Sequence, residues 1–215
     1  ADDDWVVRGV YKPMRTDQKR YHAGMRGKFG RLFNDTLGHW HGQQRQDQAV
    51  YVLLGEKKGG YFIDLAANHW IQISNSRALE RDHGWTGVCI EGDSRLISDL
   101  VMFRKCVVVN AIVSSEAKAV QFYQMGPRSG GALIATGTDK QDSAFRRGID
   151  ISTTAARFDT ILRSVAAPRT IDFLSLDVEG AEDLVMEGFP FDQHIINVIV
   201  VERPKPSLRR QLQNH

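Results

Sequence analysis

The stretch from Tyr61 to Asp93, YFIDLAANHWIQISNSRALERDHGWTGVCIEGD, constrains this chain more than any other. It reads as strand, sharp turn, helix, strand, with one acid at the tip of each strand, Asp64 and Glu91. An open parallel α/β sheet builds a pocket for a ribose-bearing cofactor in this way: the first strand brings backbone to the ligand, and the acid ending the second accepts hydrogen bonds from paired ribose hydroxyls. The glycines of a dinucleotide turn are absent, with Ala66 and Ala67 in their place. The pattern therefore points to adenosine rather than pyrophosphate, the requirement of an S-adenosylmethionine site, and argues against a nicotinamide-dependent oxidoreductase.

The flanking sequence repeats the unit. Apolar runs at 61–65, 87–91, 106–113, 171–178 and 195–202 read as core strands, and helical periodicity is expected over 47–56, 74–83, 94–105, 158–165, 181–188 and 207–214, with Ser94 as the N-cap of the third. Ala119–Tyr123 and Ile151–Thr154 read as further short strands. Between them, Met125–Gly148 is a Gly-rich connection long enough for a functional lid. A chain of 215 residues suits one α/β domain at 46–215 behind an irregular extension at 1–45. Residues 5–45 hold nine Lys and Arg against two Asp, although the whole chain is only +2. Such an arm suits an anionic surface or is simply solvated, and it lacks the aromatic interleaving of a nucleic-acid module, so no nucleic-acid partner is expected.

Several classes drop out on composition. Cys89 and Cys106 make neither a disulfide framework nor a metal site and read as buried thiols. His39 and His41 form an H-x-H pair without a third ligand, and His69 reads as a packing residue. No apolar run is long enough for a membrane span, and Ala1–Tyr11 opens with acid rather than with a signal-peptide pattern. Compartment stays open, with a soluble, cytoplasmic placement as the expectation.

A second constellation is LSLDVEGAED at 174–183. Asp177 and Glu179 leave a central strand at its carboxyl end, beside the switch point where such sheets bind ligands. Two carboxylates so close can position a cofactor or deprotonate a substrate hydroxyl. Glu182 and Asp183 read as partners of the following helix dipole.

These residues carry a family resemblance. QDQAVYVLL, GGYFIDLAAN with ISNS after it, GWTGVCIEGD, RKCVVVNAIV and IDFLSLDVEGAEDLVMEGFPF followed by VIVVERPK occur in order between residues 46 and 202. Together they resemble the FkbM family of S-adenosylmethionine-dependent methyltransferases. The resemblance implies a Rossmann-like, doubly wound, mostly parallel α/β sheet of the class I methyltransferase type. In that pattern a final pair of strands lies beyond LRRQLQNH, so the C-terminal strands are missing here. It further implies methyl transfer to a hydroxyl of a sugar or small natural product, hence a small-molecule or glycan acceptor. By position, Asp64, Ala66, Asn68 and Ser76 line the methionine end, Glu91 the ribose, and Gly92 and Asp93 the adenosine. Asp177 faces the pocket and Glu179 the acceptor, which makes Glu179 the first and Asp177 the second candidate base. The family's turn reads closer to G-A-N-x-G than the Ala66-Ala67-Asn68-His69-Trp70 present here. That difference motivates a rival reading, a binding protein that keeps the fold without turnover. An open sheet edge leaves room for an oligomer.

Overall fold

The computed structural model describes residues 10–11, 40–126, 131–134, 148–202 and 204–213. The basic arm lies almost wholly outside them, as do His39 and most of the middle connection. The central sheet has the order β1-β4-β3-β2-β10-β11, formed by Val10–Tyr11, Val107–Asn110, Thr86–Glu91, Tyr61–Leu65, Thr170–Leu176 and Ile195–Val201. Its last five strands are parallel, and β1 adds antiparallel to β4, a pairing the irregular composition of the arm did not announce. β2 pairs with β3 on one side and β10 on the other, so the sheet reverses its direction of growth there. A switch point of this kind leaves a crevice beyond the carboxyl ends of the strands.

Alternation along each strand sends side chains to two apolar layers. Phe62, Cys89, Val108 and Phe173 face α1 (Gln46–Leu53), α2 (Arg77–His83) and α3 (Ser94–Phe103), where Val50, Leu79 and Leu100 are buried. Ile63, Val88, Ile171 and Leu174 face α4 (Phe158–Ser164), α5 (Glu182–Glu187) and α6 (Pro206–Leu212). Helices on both faces of a mostly parallel sheet make the expected doubly wound architecture. The same alternation puts Asp64 and its register partner Ser175 on the first face, among otherwise apolar side chains.

Some boundaries differ from the sequence reading for identifiable reasons. Asp93, not Ser94, caps α3, because its carboxylate accepts the Arg95 N–H at 3.0 Å. The helix expected from Ser74 begins at Arg77: Ile73 sits at φ 53° and the Ser74 hydroxyl accepts the Arg77 N–H. The run 106–113 divides into β4 and a two-residue strand β5 (Val113–Ser114), which pairs with β9 (Ala156–Arg157). β6 (Ala119–Gln124) is the centre of a separate antiparallel sheet between β7 (Gly131–Ile134) and β8 (Ile149–Thr154). Part of the supposed lid is thus a strand, and residues 127–130 and 135–147 lie outside the described residues. Cys89 and Cys106 are buried free thiols with sulfurs 3.3 Å apart. Among the described residues, no helix is long and apolar enough to cross a membrane.

Candidate active site

A cleft of about 520 Å³ opens at the carboxyl ends of β2, β3 and β10. Asp64, Ala66 and Asn68 line it from the β2 turn, Glu91 from β3, and Ser175, Asp177 and Glu179 from the end of β10. A second recess of about 390 Å³ shares Ala66, Glu91 and Gly131 with it, and is walled by Gly92, Ile112, Phe122 and Leu133. Gly92 is needed there, since a Cβ would stand 2.8 Å from Ile112 Cγ1.

Backbone conformation is concentrated at this cleft. Ala66, Asn68, Ile73 and Glu179 line it and all have φ between 52° and 61°, the left-handed region that side-chain-bearing residues avoid. The β2 turn closes through hydrogen bonds from Ala66 and Ala67 N–H to Ile90 O, and from Asn68 N–H to Glu91 Oε2 at 2.8 Å. Glu91 Oε1 accepts the Asp93 N–H at 2.7 Å. The sequence suggests an exposed acid at a sheet edge, but Glu91 is only 3 % exposed. Burial raises its pKa to about 7 against the lowering effect of those two N–H groups.

Asp64 is also buried, and desolvation raises its pKa, while Arg104 and the hydroxyls of Ser76 and Ser175 act to lower it. Ser76 donates its hydroxyl to Asp64 and accepts Arg104 Nη2 at 2.8 Å. Arg104 has no exposed surface and donates from Nε to Glu80 Oε2 at 2.7 Å. Glu80 Oε1 in turn accepts the N–H groups of Lys105 and Cys106. A chain of contacts thus runs from the start of β4 through a buried ion pair to the acid at the cleft. Sequence reasoning missed Arg104, Glu80 and Ser175. For Ser175, the available signal was its matching position beside Asp64 in an otherwise apolar strand.

Ser76 and Asp93 do not line the cleft. Ser76 is fully buried beneath Asp64, and the Asp93 carboxylate is occupied by Arg95 and Gln124. Gly92 lines the apolar recess alone. His69 accepts the N–H groups of Ile71 and Gln72 on Nδ1, which shapes the turn. Glu182 does more than face a helix dipole: its Oε1 accepts the N–H groups of Val178 and Gly180, which fixes the turn presenting Asp177 and Glu179. Lys205 adds a bond to Gly180 O at 2.7 Å. Asp183 accepts the Ser207 hydroxyl.

Asp177 is half-buried, and its pKa rises to about 7, first through burial, then through a hydrogen bond to Glu202 and the charges of Glu202, Glu179 and Glu182. Its Oδ1, and the Oδ1 atoms of Asn68 and Asn75, are buried in the cleft lining without a hydrogen-bond partner. Unpaired acceptors of this kind suit a polar ligand. Among the described residues, no group of three or more His, Cys, Asp or Glu is arranged to hold a metal ion.

Searches of curated proteins and of solved structures find no match to this chain. A family profile does match: the methyltransferase FkbM domain, over residues 64–212. That span begins at the buried acid of β2, contains the whole cleft and ends with α6. It covers well over half of the chain, and the protein belongs to the FkbM methyltransferase family.

Proposed function

We propose that the protein is an S-adenosylmethionine-dependent O-methyltransferase. The observation that carries this reading is the place of Glu91, where the polar cleft meets the apolar recess. An adenine ring fits the recess beside Gly92 and Ile112, ribose hydroxyls fit the Glu91 carboxylate, and the methionine end fits Asp64, Ala66 and Asn68. The residues present suit such a ligand, because the unpaired Asn68 Oδ1 accepts what an amino group donates. When bound, the cofactor supplies an activated methyl group, which passes to the acceptor oxygen as the carbon–sulfur bond breaks.

The chain's own residues then align the acceptor and take its proton. Asp177 is the best-matched base, since a carboxylate with a pKa of about 7 is both available and basic near neutrality. Glu179, beside it in the turn, is the second candidate. Calorimetric titration with S-adenosylmethionine and S-adenosylhomocysteine tests the reading. Glu91→Gln should weaken both ligands by about 10- to 100-fold, the range for a lost hydrogen bond to a charged group. Asp177→Asn should abolish turnover and leave that affinity nearly intact. Failure of the wild-type protein to bind either ligand refutes the proposal. Binding without turnover across acceptors favours the binding-protein alternative.

A further inference from the structure

Beyond Asp177 lies a larger cavity of about 950 Å³ that is walled by Gln43, Gln44 and Gln46 on one side and by Glu202 at the end of β11 on the other. It shares Asn75, Ser175 and Asp177 with the cofactor cleft, so Asp177 stands at the junction of the two. The glutamine wall is a built turn. Asp47, fully buried, accepts the His41 N–H at 2.6 Å, and Arg45 N–H bonds Gly42 O at 2.9 Å. Gln46 Oε1 accepts the Gln44 N–H at 2.8 Å. Gly42 bridges to Ile73, the residue that reaches the cofactor cleft, and a Cβ on Gly42 would meet Gln46 Oε1 at 2.8 Å and Asp47 Oδ1 at 2.9 Å. The Gln46-Asp47-Gln48 motif is thereby divided by role. Asp47 braces the turn, Gln46 faces the cavity and Gln48 accepts from Arg45.

We infer that this amide-lined cavity is the acceptor subsite, and that it takes an uncharged, polyhydroxylated molecule whose reacting hydroxyl is set against Asp177. Primary amides pair with hydroxyls as both donors and acceptors, and carboxylates accept from them. Asp177 and Glu202 on the same wall repel an acceptor that carries phosphate or carboxylate. The acceptor's proton is delivered to Asp177, which already shares a hydrogen bond with Glu202.

This inference rests on the proposed cofactor site, and its test separates the two. Saturation-transfer NMR on protein loaded with S-adenosylhomocysteine would use methyl β-glucopyranoside and myo-inositol as neutral probes, with glucuronate and glucose 6-phosphate as anionic ones. The neutral probes should bind and the anionic ones should not. Gln43→Leu and Gln46→Leu should each weaken the neutral probes about five- to tenfold, as for one lost hydrogen bond. Affinity for S-adenosylhomocysteine should not change, which also shows that the variants are folded. Preference for the anionic probes, no binding of the neutral ones, or neutral binding unaffected by either variant overturns the subsite. Loss of S-adenosylhomocysteine binding by the wild-type protein instead overturns the cofactor site beneath it.

Discussion

Arg104→Met would separate a buried charge from its countercharge with little change in volume. In the wild-type protein the guanidinium is fully buried over the Phe62 ring, paired to Glu80 at 2.7 Å and bonded to the Ser74 and Ser76 hydroxyls. Glu80 would retain two backbone N–H donors and a distant Arg77 at 3.5 Å. The loss should therefore fall near the lower end of the range for a broken buried pair, about 3 kcal/mol. For a chain of this size that lowers Tm by roughly 6–12 °C. The double variant Glu80→Gln/Arg104→Met leaves no buried charge, and the Gln carbonyl can still accept the Lys105 and Cys106 N–H groups. It should lose less than about 1.5 kcal/mol, a non-additivity typical of contacting residues. Thermal denaturation of the two single variants and the double supplies the cycle, and simple additivity would refute the argument. The double variant carries a second readout. Without the guanidinium, the Asp64 carboxyl climbs further above its usual range, so S-adenosylmethionine affinity should fall at neutral pH and recover as pH rises. A loss of affinity that does not respond to pH would refute the link from Arg104 to Asp64.

Other outcomes follow from the same geometry. Burial would raise Glu80, but Arg104 and its other partners hold its pKa below the ordinary value; its stabilisation is present above the unfolded value of roughly 4.3 and drains as pH falls through the folded one, so acid titration of the double variant should show a shallower loss than wild type. Glu91 and Asp177, both raised to about 7, have the opposite sign: the ligand-free protein is favoured where they are neutral and loses stability as pH climbs through 7, whereas turnover needs Asp177 ionised and should rise over that interval. A pH–rate profile falling from pH 6 to 8 would contradict this. Ala66→Gly releases a side chain from φ 61°, and against the greater entropy of an unfolded glycine should still stabilise by about 0.5–1 kcal/mol, with a lowered Tm as the contrary result.

The sheet was legible because its strands are nearly continuous apolar runs punctuated by turns. β2 was bounded to the residue, and Glu91 and Asp177 could be placed at strand tips by counting from the last buried position. What escaped depended on contacts distant along the chain. Glu80 and Arg104 are 24 residues apart, and each looks in sequence like a solvated charge at a helix flank. Ser76 looks like a helix cap, yet its hydroxyl is turned inward by Asp64, a partner that no local pattern names. Glu182 was read as a dipole partner because its loop-directed hydrogen bonds depend on how tightly the turn after β10 folds back. The antiparallel sheet around β6 was only partly visible, since Gly131–Ile134 is short and sits in a Gly-rich stretch.

The ring of left-handed residues around the cleft bears on how such a protein tolerates change. Ala66, Asn68, Ile73 and Glu179 each hold a conformation that a glycine would adopt at less cost. Random drift toward glycine at these places would tend to toughen the fold, while removing the side chains that shape the cleft. Selection on durability and selection on chemistry therefore pull the same few positions in opposite directions. A library made to harden this protein should vary the outer faces of its helices and keep the rim fixed.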